Sequence, residues 1–111
     1  MDLQSDNRGD MLVVRAMEPR IDAAVAIQFK DRMRDLLAAA PARVVLDLSQ
    51  VQFLDSSGLG AVVAVMKHLG PGRRLELAGL TPTVQKVFRL TRMDSVFTIH
   101  PEVPDALRDA V

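Results

Sequence analysis

At 111 residues the chain can bury one ordinary hydrophobic core but not two, so a single domain over residues 1–111 is expected, without an interdomain catalytic cleft. Lys plus Arg and Asp plus Glu both number 14, and Tyr and Trp are absent, which argues against nucleic acid as a partner and against stacking platforms for bases or sugars. The lack of cysteine removes disulfides, thiolate nucleophiles and thiol-based zinc sites together.

The start MDLQSDNRGD is polar and has no basic and apolar regions of a signal peptide. The longest apolar run, Leu59 to Met66, is far below the roughly 20 residues that a bilayer demands. A soluble, cytoplasmic protein without a membrane partner is expected. Beyond an Asn-Arg-Gly-Asp turn at residues 7–10, Met11 to Met17 reads as a strand, with residues 2–6 as a short edge strand paired to it. From Asp22 to about Ala40, apolar residues at Val25, Ala26, Phe29, Met33, Leu36, Leu37 and Ala40 follow the three-and-four spacing of one helical face. Asp22 is a favoured residue type for capping that helix, and Pro41 stops it.

Arg43 to Leu48 carries a continuous VVL centre, the pattern of a central strand buried on both faces. After the connection SQVQFLD, Ser57 to Leu69 reads as a helix that is apolar almost all round, to be covered on two sides or left with one side for a partner. Gly70-Pro71-Gly72 ends it. Leu75 to Ala78 is the next strand, and Thr81-Pro82 opens a third helix through Val84, Val87 and Phe88. Val96 to Ile99 reads as a last strand and residues 104–111 as a terminal helical turn or two. The alternation predicts an α/β domain, a mainly parallel but mixed sheet of four to five strands packed with about four helices. Functional sites in such sheets gather beyond the carboxyl ends of the strands, where the turn Asp55-Ser56-Ser57-Gly58-Leu59-Gly60 should emerge.

That turn supports two readings. In one, Asp55, Ser56 and Ser57 satisfy the orphan amides of the helix while Gly58 and Gly60 let it pack closely on the sheet. In the other, a serine at the positive end of the helix dipole carries a phosphoryl group, an anion worth roughly 0.3–1 kcal/mol there. A nucleophile elbow fails because G-x-S-x-G is missing and His68 stands roughly 18 Å along the same helix at 1.5 Å per residue. His100 is not excluded by distance, but Asp55 opposes an oxyanion beside Ser56. No P-loop pattern adjoins the turn. His68 and His100 fall in different predicted elements with no other ligand at suitable spacing, so no metal, cofactor or enzymatic activity is expected.

The whole string VVLDLS-x-V-x-F-x-DSSGLG, mid-chain with this order of elements, resembles the STAS domain family, specifically the bacterial anti-sigma factor antagonists. MLVVRAMEPRIDAA is similar to the family's early strand and its Gly-Glu-Leu-Asp approach to the first helix, and LELAGLTPTVQKVFRLTRMDSVFTI to its later strand, helix and strand. The resemblance implies a phosphorylatable binding module in partner switching. The serine directly after the aspartate, here Ser56, is phosphorylated by an anti-sigma factor that is itself a serine kinase, and a serine phosphatase reverses this. Ser57 is the second candidate acceptor, and the resemblance makes it the helix-capping neighbour. Unphosphorylated, the chain would bind the anti-sigma factor, with Asp22, Asp55, Ser56, Ser57, Gly58 and Leu59 at the contact. The stretch Glu18-Pro19-Arg20-Ile21-Asp22 departs from the family pattern. The alternative is an interaction subunit of a transport or signalling complex, in which the apolar second helix docks and Ser56 is never modified.

Overall fold

The computed structural model describes residues 1–104. Strand β1 (Leu3–Arg8) turns at Gly9, whose φ of 67° suits a residue without Cβ, and returns antiparallel as β2 (Met11–Ala16). The two-residue β3 (Arg20–Ile21) leads to α1 (Ala26–Leu37), and β4 (Arg43–Asp47) follows. Another two-residue strand, β5 (Phe53–Leu54), runs directly into α2 (Ser56–Leu69). Then come β6 (Arg74–Ala78), α3 (Pro82–Leu90), a 3₁₀ turn at Met93–Ser95 and β7 (Ile99–His100).

The main sheet has five strands in the order β1-β2-β4-β6-β7, with only the β1–β2 pair antiparallel. Strand alternation divides its residues between two faces. In the register Leu12–Val44–Leu75 and Val14–Leu46–Leu77, apolar side chains meet Ala26, Phe29, Met33 and Leu37 of α1, Ala61, Val62 and Val65 of α2, and Val84 and Phe88 of α3. Phe88 and Phe97 contact edge to face at 5.8 Å. The other face carries a smaller cluster, Met11, Val13, Val45 and Ala78 with Val103 against it, and beside it a set of ion pairs. Val44, Val45 and Leu46 are fully buried, as a continuous apolar run in a central strand requires.

Several boundaries depart from expectation. Three α-helices and one 3₁₀ turn stand among the described residues, not about four helices, and the helical turn expected at 104–111 lies almost wholly outside them. The first helix begins at Ala26 rather than Asp22, because the Asp22 carbonyl accepts from the amides of Val25 and Ala26 while its carboxylate accepts from Ala24, forming a tight turn. It ends at Leu37, with Ala38 and Ala40 bonded to carbonyls three residues back. The last strand lies at Ile99–His100 rather than Val96–Ile99, since Arg92 adopts φ 61° and the chain winds through the 3₁₀ turn first. The expected strand at residues 2–6 reaches Arg8.

Strands β3 and β5 have no counterpart in the sequence reading, being too short for any periodicity to show. They form a separate parallel ladder, Arg20 opposite Phe53 and Ile21 opposite Leu54. Since β3 follows β2 and β5 follows β4, this ladder extends the neighbouring pair beyond its carboxyl ends. It launches both α1 and α2 from one place.

Candidate functional site

The turn into α2 is built on backbone contacts to β3. The carbonyl of Pro19 accepts from the amides of Gln52 and Phe53, at 2.7 and 3.1 Å, which seats β5 beside β3. Thr81, at the start of α3, donates its hydroxyl to the Val51 carbonyl at 2.8 Å and so holds the connection from the other side. That hydroxyl does not cap its own helix.

Asp55 is the N-cap of α2. Its Oδ1 accepts from the amide of Gly58 at 2.9 Å and its Oδ2 from the amide of Ala23 at 3.2 Å. One carboxylate thereby satisfies an orphan donor of its own helix and a donor in the turn leading to α1, and ties the two loops together. Capping by Ser56 or Ser57 is corrected here: neither hydroxyl caps the helix, because Asp55 already occupies that position. Both serines are exposed.

Gly58 is buried with its backbone against β3. A Cβ at this position would collide with the Ile21 carbonyl oxygen and stand 2.9 Å from Leu54 Cδ1, so only glycine lets α2 approach this closely. Close packing was also expected of Gly60, but nothing lies within 4 Å of where its Cβ would be, and it sits on the exposed side of the helix. Leu59 is half-buried and packs with Val63 and Met66 against the core, leaving only part of its surface to a partner. The apolar second helix is thus covered mainly by intramolecular contacts with α1 and the sheet.

Asp22 lies in the same neighbourhood, but its carboxylate is engaged by the amide of Ala24 at 3.1 Å and by Arg20 Nε at 3.2 Å. The six predicted site residues therefore fall on the turn before α1 (Asp22) and on the N-cap and first turn of α2 (Asp55 to Leu59), joined through Asp55. Sequence reasoning missed two neighbours, Arg20 and Phe53. The Arg20 guanidinium lies 4.2 Å from the centroid of the Phe53 ring. The unusual Glu18–Asp22 stretch and the exposed aromatic ahead of Asp55 were the available signals.

The histidines are elsewhere. His68 is in the last turn of α2, and His100 Nε2 stands 2.6 Å from Glu76 Oε1 on the sheet face away from the helices. No group of three or more potential metal ligands is gathered among the described residues, and no helix among them is long and apolar enough to cross a membrane. A cleft of about 520 Å³ opens at the amino-terminal edge of the parallel strands, lined by Asp10, Arg43, Gly72, Arg73 and Arg74, at the end of the sheet opposite Ser56. What the serine turn offers is an exposed hydroxyl on a rigid platform at a helix N-terminus, an arrangement suited to modification and to contact with another protein.

Residues 2–106 match the STAS domain family. A STAS-domain containing protein of Pseudomonas aeruginosa is 30% identical over 84 residues, covering 75% of this chain and 82% of that protein. The anti-sigma-F factor antagonist RsfB of Mycobacterium tuberculosis is 25% identical over 103 residues, covering 93% of this chain and 83% of RsfB. The crystal structure of an anti-sigma factor antagonist from Mycobacterium paratuberculosis superposes with a TM-score of 0.85 at 27% identity, covering 97% of this chain and 92% of that one.

Proposed function

The chain belongs to the STAS domain family, and from that footing we propose that it is a cytoplasmic, non-enzymatic anti-sigma factor antagonist whose affinity for its partner is switched at Ser56. In this reading the unphosphorylated chain binds an anti-sigma factor that is also a serine kinase. Phosphorylation of Ser56 releases it, and a serine phosphatase restores the binding form.

The observation that carries the reading is that Asp55, not a serine, caps α2, which leaves the exposed Ser56 hydroxyl without a structural duty. Phosphorylation adds about −1.5 to −2 charges at pH 7. The N-terminal amides and dipole of α2 tolerate that charge, so the fold persists. A partner surface that had buried the hydroxyl would face a dianion beside Asp55, and desolvation and repulsion together cost it several kcal/mol. Affinity changes while the domain stays folded.

The test is incubation of the purified chain with an anti-sigma factor kinase of the same organism and ATP, followed by peptide mass spectrometry. One phosphoryl group on Ser56 is the expected result, with Ser57 as the adjacent acceptor to be distinguished by fragmentation. Ser56→Asp should keep its melting temperature and lose the kinase, and Ser56→Ala should stay bound in the presence of ATP. An unmodified Ser56, with wild type and Ser56→Asp retaining the same transporter or scaffold subunits, would establish instead a docking module that is never modified.

A further inference from the structure

Both carboxylates beside Ser56 are occupied by the scaffold. Asp55 holds the amides of Gly58 and Ala23, and Asp22 holds the amide of Ala24 and Arg20 Nε. Arg20 is engaged differently. It directly faces Phe53 across the β3–β5 ladder, stacks on that ring at 4.2 Å, and keeps 58% of its side chain exposed, while Phe53 itself is 36% exposed. Only Nε has a hydrogen-bond partner among the described residues, which leaves the two Nη groups of this largely exposed side chain available to another molecule.

We propose that the Arg20–Phe53 pair is the specificity element of the docking surface, receiving a carboxylate of the partner protein on the open edge of the guanidinium and an adjacent apolar side chain on the ring. This rests on the partner-binding role proposed above. A guanidinium offers paired donors in a rigid plane that match a carboxylate's two oxygens. Stacking on Phe53 and the bond to Asp22 hold that plane before the partner arrives, so less side-chain freedom is lost on binding. Arginine and aromatic residues at the centre of a contact commonly dominate its energy. Asp22 and Asp55 beside the arginine disfavour a polyanion such as nucleic acid or an acidic membrane, and a single carboxylate fits that mixed field.

The test is titration calorimetry of the anti-sigma factor kinase against wild type, Arg20→Glu, Arg20→Lys, Arg20→Met, Phe53→Ala and Ser56→Asp, at low and high salt. Arg20→Glu should weaken binding by at least ~30-fold and Arg20→Lys, which keeps the charge but loses the fork, by about fivefold. The difference between Arg20→Glu and wild type should narrow at high salt. A carboxylate-to-lysine change in the kinase that rescues Arg20→Glu would identify the acceptor. Arg20→Met keeps an apolar stem over the ring without placing a third acid beside Asp22, so the result remains readable if Arg20→Glu misfolds. Wild-type affinity in Arg20→Met or a folded Arg20→Glu, with binding lost in Ser56→Asp, overturns this inference and leaves the switch standing. Arginine variants that weaken binding while Ser56→Asp binds normally support the inference and defeat the switch. No binding by wild type overturns both.

Discussion

Glu76 and Asp55 both accept hydrogen bonds at each carboxylate oxygen, and they are used in opposite ways. Glu76 lies on the sheet face away from the helices, its side chain only 4% exposed, bound by Arg43 at 2.8 and 3.0 Å, Arg74 at 2.9 Å and His100 at 2.6 Å. Burial pushes its carboxyl up, but hydrogen bonds from Arg43 and His100 and the charges of Arg43 and Arg74 outweigh that and hold it at about 2. Asp55 is bound by two backbone amides at the edge of the fold. The Glu76 cluster is built of side chains from three strands: Arg43, Arg74 and His100 meet at one carboxylate and stitch β4, β6 and β7 together. Asp55 instead binds backbone, the amides of Gly58 and Ala23, and takes the capping role that Ser56 would otherwise fill. What remains at the turn is a pair of exposed hydroxyls, Ser56 and Ser57, neither of which holds the helix.

The largest test of that contrast is Glu76→Gln. It removes the buried charge that Arg43, Arg74 and His100 all meet, and should lower stability by about 3 kcal/mol with no direct effect on the serine turn. The wild type has its own acid signature. Unfolded, Glu76 would titrate in the ordinary carboxylate range near ~4.3, and folded it titrates at about 2. Its contribution is therefore complete above the unfolded value and disappears as pH falls toward 2, because the unfolded chain takes up the proton first. Chemical denaturation midpoints should fall between pH 5 and 2 in the wild type and lose much of that slope in Glu76→Gln. An unchanged slope would mean that other carboxylates dominate acid unfolding.

Gly58→Ala comes next, at about 2–3 kcal/mol, because its methyl group must displace the Ile21 carbonyl or the backbone of α2. Partner binding should fall with it, since the shift moves the first turn of the helix. Retained stability and binding in Gly58→Ala would show that β3 and α2 can part without cost.

Asp55→Ala is the smallest in stability, about 1–2 kcal/mol for a lost cap. It frees the amides of Gly58 and Ala23 and uncouples the two loops, so phosphorylation of Ser56 should slow by more than the stability loss explains. An unaltered rate would make Asp55 a cap and nothing else.

Much of this was legible in the chain. The VVL run, the amphipathic spacing of Phe29, Met33 and Leu37, and the Gly70-Pro71-Gly72 stop located the central strand and two helices, because each is a local pattern with a period or a breaker. The DSSGLG turn was placed beyond the central strand for the same reason, by the order of strand and helix around it. Arg20 and Phe53 were not legible as a pair: they are far apart in sequence and meet only because two two-residue strands align in parallel. Nor was the division between the glycines, since Gly58 and Gly60 are alike in the string and differ only in which side of α2 meets the Ile21 carbonyl. The choice of cap also depended on geometry, because Asp55, Ser56 and Ser57 are all suitable residue types and backbone direction alone selected the aspartate.

Local hydrophobic periodicity, turn chemistry and the order of elements were enough for the sequence alone to determine an α/β domain with a serine-bearing turn beyond a central strand. Only the tertiary structure decided which groups around that serine are already satisfied and which face outward. Hydrogen-bond satisfaction depends on contacts between distant segments, here Asp55 with Ala23 and Arg20 with Phe53, and no local pattern encodes them.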